Sequence, residues 1–232
     1  IHIDGRFVHN GDNGMRALGF LGDLPPVADG GEAVTVECAG PLGTAVTLQG
    51  TALDELPSRS LRFTWTGPFP EGGGVIEGPS ATVTLRPGGN VIQLVVSDEH
   101  QDSHPAVVVV DVSDTTPPDL SVSLAPDVLF PPNHRLRPIA ASIDVTDSCD
   151  PGSVQVRLVS IVSSEPSDGL GDGSTFPDIA NAQFGTDDRD FELRAERSGG
   201  GAGRVYTVTY EAVDALGNTA RREASVLVPH NR

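Results

Sequence analysis

Asp111-Val112-Ser113-Asp114-Thr115-Thr116-Pro117-Pro118-Asp119 decides how the rest of the chain is read. A run of β-formers, 106–110, ends just before it, and another, 120–124, begins just after it. Paired prolines fix φ and remove two backbone donors, so neither a helix nor a central strand runs through them. The residue before each proline is pushed toward an extended conformation. The stretch therefore reads as a short, stiff connector, 114–118, between two β-domains. The organisation expected from it is an N-terminal segment 1–23, a domain 24–113, the linker and a domain 119–232.

Working upstream, 24–112 carries seven short β-rich runs: 33–38, 45–49, 61–66, 75–77, 81–85, 90–97 and 106–112. Turn sequences such as Gly40-Pro41, Gly72-Gly73-Gly74 and Pro87-Gly88-Gly89-Asn90 separate several of them. Seven short strands without a helical period predict a β-sandwich, and Trp65 falls on the third, where an immunoglobulin-like sandwich buries its large aromatic. Downstream the pattern recurs at 121–124, 139–145, 154–162, 191–195, 204–213 and 220–228. Val205, Thr207, Thr209 and Glu211 alternate with Tyr206, Val208, Tyr210 and Ala212, as in a half-buried strand with an aromatic inner face. Tyr210, two residues before the inward Ala212, stands where a tyrosine corner would. The fold expected is all-β: two tandem immunoglobulin-like β-sandwiches.

The chain has 232 residues, 15 basic and 32 acidic, for a net charge of −17. Nucleic-acid phosphates need a basic face, so that partner is excluded. Divalent cations suit this balance. Every basic residue is Arg, so lysine Schiff-base chemistry and Lys–Asn isopeptide staples are excluded too. No apolar run is long enough to cross a membrane as a helix. Starting at Ile1, the chain is expected to be a processed or excised piece whose signal peptide is gone. Residues 1–8 alternate as a strand would, which opens two readings of 1–23: the remnant of an upstream domain, or a strand donated to a neighbouring copy.

Pro25-Pro26-Val27-Ala28-Asp29, Val34-Thr35-Val36-Glu37-Cys38, Val46-Thr47-Leu48 and Phe63-Thr64-Trp65-Thr66-Gly67 together resemble a polycystic-kidney-disease (PKD) type domain. The chain departs from that family at Thr51-Ala52-Leu53-Asp54-Glu55-Leu56, where a Ser/Asp/Gly-rich stretch is usual. Thr115-Thr116-Pro117-Pro118, Thr146-Asp147-Ser148-Cys149-Asp150-Pro151 and Val213-Asp214-Ala215-Leu216-Gly217-Asn218 resemble the immunoglobulin-like repeats of secreted bacterial surface proteins. The resemblance spans 25–229. It implies a secreted or cell-surface spacer, adhesin or accessory module, with other copies or neighbouring repeats as partners.

Two acidic groups are candidate calcium sites. Asp168, Asp172 and Asp178 lie on a glycine-rich loop, and Asp187 and Asp188 join them if the chain folds back. Such a loop offers hard oxygen ligands, though its spacing is not that of an EF-hand. In a stacked pair of sandwiches the linker meets the B–C and F–G turns of the second domain. That gathers Asp114, Asp147, Asp150, Asp214 and Asn218, whose repulsion a cation would relieve. The competing reading of both groups is turn chemistry. Stacking also brings Cys38 and Cys149 toward the joint, as a disulfide pair or as two buried thiols. His100 and His104 read as a polar turn, His134 as a turn residue, and Glu196, between Arg194 and Arg197, as an ion-paired strand residue. No nucleophile or phosphate motif appears, so an enzyme is not expected. The runner-up function is a polysaccharide-binding accessory module, which needs exposed aromatics.

Overall fold

The computed structural model describes residues 23–55, 60–169, 171–173 and 175–231. The N-terminal segment, apart from Asp23, lies outside them, and so does the strand-donation reading. The chain divides between Ser113 and Asp114 into two compact units.

In the first unit the strands are β1 (Val27–Asp29), β2 (Val34–Glu37), β3 (Thr44–Gln49), β4 (Thr51–Leu53), β5 (Arg62–Thr66), β6 (Val75–Glu77), β7 (Ser80–Leu85), β8 (Gly88–Ser97) and β9 (Ala106–Ser113). One sheet runs β2-β9-β8-β5-β6, with β2 parallel to β9. The other layer is made of the pairs β1-β4 and β3-β7. The alternation of β8 and β9 turns Ile92, Leu94, Val96, Val108, Val110 and Val112 inward around Trp65, all of them buried. The Trp65 indole N–H donates to the Gly78 carbonyl at 3.0 Å, so its polar atom is satisfied inside the core. Gly50, between β3 and β4, is where the strand passes the ring. A Cβ there would stand 2.9 Å from Trp65 and 2.7 Å from Leu94. Strands β1 and β4 are too short to leave a periodic signal in the sequence.

The second unit contains β10 (Asp119–Ala125), β11 (Leu136–Thr146), β12 (Gln155–Ser163), β13 (Ile179–Ala180), β14 (Asp190–Arg194), β15 (Gly203–Val213) and β16 (Thr219–Pro229). Its sheets are β10-β11-β14-β13 and β12-β15-β16. Lettered A to G in chain order, these are the ABED and CFG sheets of a constant-type immunoglobulin sandwich. Leu120, Ile139, Leu158, Phe191, Leu193, Val208, Val226 and Val228 fill the space between them. The inward face of β15 reads Arg204, Tyr206, Val208, Tyr210 and Ala212, all at 0% exposure. An arginine thus continues the aromatic row into the core. The fold is all-β, two immunoglobulin-like sandwiches in tandem.

Tyr210 differs in detail from a tyrosine corner. Its hydroxyl donates to the Asp188 carbonyl at 2.6 Å, 22 residues upstream, rather than to a carbonyl a few residues back. It crosses to the opposite sheet just before β14. Tyr206 donates to the Arg194 carbonyl at 3.0 Å, the last residue of β14. The two hydroxyls therefore staple both ends of one facing strand.

Candidate functional site: a buried tri-carboxylate group and an arginine-filled loop

Asp114, Asp147 and Asp214 come together within the second unit. Each offers a ligand atom within 4.8 Å of the other two, and each is buried, at 7%, 9% and 7% exposure. This is the one set of three such side chains gathered that closely among the described residues.

The local sequence explains the placement. Asp147 opens the β11–β12 turn, where its Oδ1 accepts the backbone N–H groups of Cys149 and Asp150 at 2.9 and 2.8 Å. Asp214 opens the β15–β16 turn, and its Oδ1 accepts from Leu216 and Asn218 at 2.9 and 2.8 Å. Asp114, in the linker, accepts from Thr116 at 3.0 Å. Each aspartate thus folds its own turn with one oxygen.

Asn218 ties the group together. Its Nδ2 donates to the Asp114 carbonyl at 3.0 Å and to Asp214 Oδ2 at 2.7 Å. Burial pushes the Asp214 carboxyl up, but hydrogen bonds from Asn218 and the turn N–H groups outweigh it and hold it below its usual value. It is ionised at neutral pH. Asp150 stands aside, its Oδ2 accepting from Ser153 Oγ at 2.5 Å. Three buried carboxylates within reach of one another form an oxygen-only donor set, the chemistry that calcium takes. These residues fit the ion.

The glycine-rich loop is organised differently. Asp172 and Asp178 turn inward and are buried, while Asp168 is exposed. Arg204 occupies the position a cation would take. Its guanidinium donates to Asp178, lies 3.4 Å from Asp172, and donates to the Pro166 carbonyl and Tyr206 hydroxyl at 3.2 Å. Glu165 approaches its Nε at 3.4 Å. Asp187 is held in a two-point ion pair with Arg189, both bonds at 2.9 Å. Asp188 accepts backbone N–H groups from Gln183 and Asp190. The five loop aspartates therefore do not converge on one point. The overlooked signal was the parity of Arg204 with Tyr206 and Tyr210, which placed a cation on the inner face.

Glu196 also departs from expectation. It follows β14 at 0% exposure, and its partners are Thr175 and His134 rather than the flanking arginines. Arg194 instead donates to the carbonyls of Pro177 and His134. His134 is a turn residue with positive φ, and its Nδ1 lies 3.3 Å from Glu196 Oε2. In the first unit the His100 N–H caps the buried Asp98 at 2.9 Å, which is turn chemistry. Cys38 and Cys149 are each buried in their own unit. Phe130, Phe176 and Phe184 are exposed, Phe176 at 83%. No helix among the described residues is long and apolar enough to cross a membrane.

No family model matches the chain. No curated protein matches it either. Among solved structures, it is 12% identical to a chain of the Dpr2 Ig1-Ig2 complex with DIP-Theta Ig1-Ig3, with a TM-score of 0.31, covering 88% of this chain and 64% of that one. Human desmocollin-1 ectodomain is 17% identical with a TM-score of 0.32, over 91% of this chain and 38% of the other. The fibronectin(III)-like modules of Clostridium thermocellum CbhA are 14% identical with a TM-score of 0.28, over 88% and 94%. The chain spans less than two thirds of the first two. At these identities and scores the neighbours lend nothing to function, and the immunoglobulin-like assignment stands on the strand order of the two units.

Proposed function

We propose that this chain is a non-enzymatic structural or adhesive module of a secreted or surface-displayed bacterial protein, stiffened by calcium at Asp114, Asp147 and Asp214. The observation that carries the reading is the burial of three mutually close carboxylates. Burying like charges together raises their energy unless a cation joins them. A bound calcium would tie the linker residue Asp114, next in sequence after β9, to two turns of the second sandwich. That suits a spacer. The resemblance to PKD-type and DTTPP-linked repeats points the same way, as does the excess of acidic residues.

Two finer features belong to the proposal. Cys38 and Cys149, the two cysteines of the chain, are assigned to one disulfide. Residues 1–23 are assigned as a strand donated to another copy, which makes the module a filament subunit. Non-reducing peptide mapping tests the first, and micrographs of a protein lacking 1–23 test the second: unchanged polymers would remove strand donation.

Binding calorimetry with calcium tests the main reading on the whole chain. The expected result is saturable binding that Asp147→Asn abolishes. Asparagine keeps the Oδ1 acceptor for the turn and removes only the charge, so a lost signal reports the metal. Heat of binding unchanged in Asp147→Asn would place calcium elsewhere.

A second reading, a polysaccharide-binding accessory module, gains from the exposed Phe130, Phe176 and Phe184. Retardation in affinity electrophoresis that Phe176→Ala removes would favour it over a spacer.

A further inference from the structure

We infer that Glu196 is a neutral carboxylic acid at physiological pH, and that its proton, shared with Asp178, latches the β12–β13 loop onto Arg204. Hydrogen-bonding capacity limits where a proton can sit. Glu196 Oε2 accepts from the Thr175 hydroxyl and faces His134 Nδ1 at 3.3 Å. With His134 in the tautomer that carries its proton on Nδ1, both lone pairs of Oε2 are engaged, and a proton on the carboxyl belongs on Oε1. Asp178 Oδ2 accepts from Arg204. The remaining oxygens, Glu196 Oε1 and Asp178 Oδ1, are both buried and have no hydrogen-bond partner among the described residues. Two buried acceptors cannot satisfy each other, and a buried acceptor left bare keeps its full desolvation penalty. The two carboxyls lie within hydrogen-bonding reach of each other, and one proton between them satisfies both.

The surrounding charges agree. From β15, Arg204 Nη1 reaches Glu196 Oε1 at 4.0 Å, and Tyr206 lies beside that guanidinium. From the loop come Asp172 and Asp178, and from its start Glu165. From β14 comes Arg194, 3.8 Å from Asp178, and from the β10–β11 connection His134. Four carboxylates thus face two guanidiniums and one imidazole. Holding Glu196 neutral removes one uncompensated negative charge. Burial, reinforced by the Asp178 carboxyl and opposed by Thr175 and His134, holds Glu196 above the ordinary carboxylate range.

The consequence is a loop whose attachment depends on a proton. Thr175, Asp178 and, through Arg204, Asp172 are its tethers, and the exposed Phe176 rides between two of them. Ionising Glu196 sets two buried carboxylates against each other and loosens all three.

The test is a carboxyl-carbon NMR titration of the intact wild-type chain, with Glu196 assigned by through-bond correlation. The expected result is a protonated Glu196 at about pH 7, ionising only at higher pH. Over the same range, the protection factors of the hydrogen-bonded Gly169 and Asp172 amides, with base-catalysed intrinsic exchange divided out, should fall by about tenfold or more. A Glu196 carboxyl that ionises with the exposed glutamates overturns the inference. Glu196→Gln supplies the complementary check, because its amide N–H₂ mimics the donating acid. It should leave the loop protected and remove the pH dependence of those protection factors, and protection still falling with pH as in the wild type would also overturn it.

Discussion

At the residue scale, Arg204 has the largest effect. It sits at 0% exposure among Asp172, Asp178 and Glu165, and its removal leaves buried negative charge without a counterion. Arg204→Met should cost roughly 3–5 kcal/mol, a large part of the stability of one domain. Chemical denaturation with the second-unit transition followed separately checks this, and a loss under about 1 kcal/mol would show the network to be dispensable. Gly50 makes the matching case in the first unit. A methyl group there meets Leu94 and Trp65 below 3 Å. Gly50→Ala should destabilise that unit by about 1–3 kcal/mol through overpacking, without touching the second.

At the element scale, β15 carries the second unit. Its inward row includes two tyrosines whose hydroxyls hold both ends of β14 from the opposite sheet. Tyr210→Phe keeps the packing and removes one buried hydrogen bond, so a loss of about 1 kcal/mol is expected from urea unfolding. The same strand shows how far sequence reading reaches. Its period of two was legible from Val205 to Ala212, and with it the sheet face and the core. Extending that parity by one step to Arg204 would have placed a cation in the interior and forecast where Asp172 and Asp178 turn. Glycine and aspartate in the loop suggested calcium because both cations, metal and guanidinium, collect the same carboxylates. The linker group was more legible. Asp114, Asp147 and Asp214 each occupy a turn-opening position that tandem sandwiches bring to one end of a domain. Strands β1, β4 and β13, at two or three residues, leave too few positions for any period.

At the scale of the whole molecule, pH sets opposing limits on the second unit. Glu211 is held below its ordinary value chiefly by Arg221, against burial and with help from Arg157, and Asp214 is lowered as well. Their stabilisation is present above the unfolded carboxylate pKa of about 4 and is lost as pH falls through their folded values. Glu196 is raised, so its contribution is full below about pH 4 and is lost as pH climbs through its folded value. Stability should therefore pass through a maximum between the two, and in Glu196→Gln the alkaline fall should flatten. Thermal midpoints across pH check both limbs.

Calcium is the proposed counterion of Asp114, Asp147 and Asp214, and scanning calorimetry of the intact chain tests that directly. At calcium about ten times its Kd, one site adds about 1.4 kcal/mol, a rise of about 5 °C in the midpoint of a domain this size. Asp147→Asn should reverse the order of stabilities. In chelator it relieves repulsion and melts at or above the wild type, whereas in calcium it melts below it. A wild-type midpoint indifferent to calcium, or Asp147→Asn shifting with calcium as the wild type does, would rule out calcium at these three carboxylates.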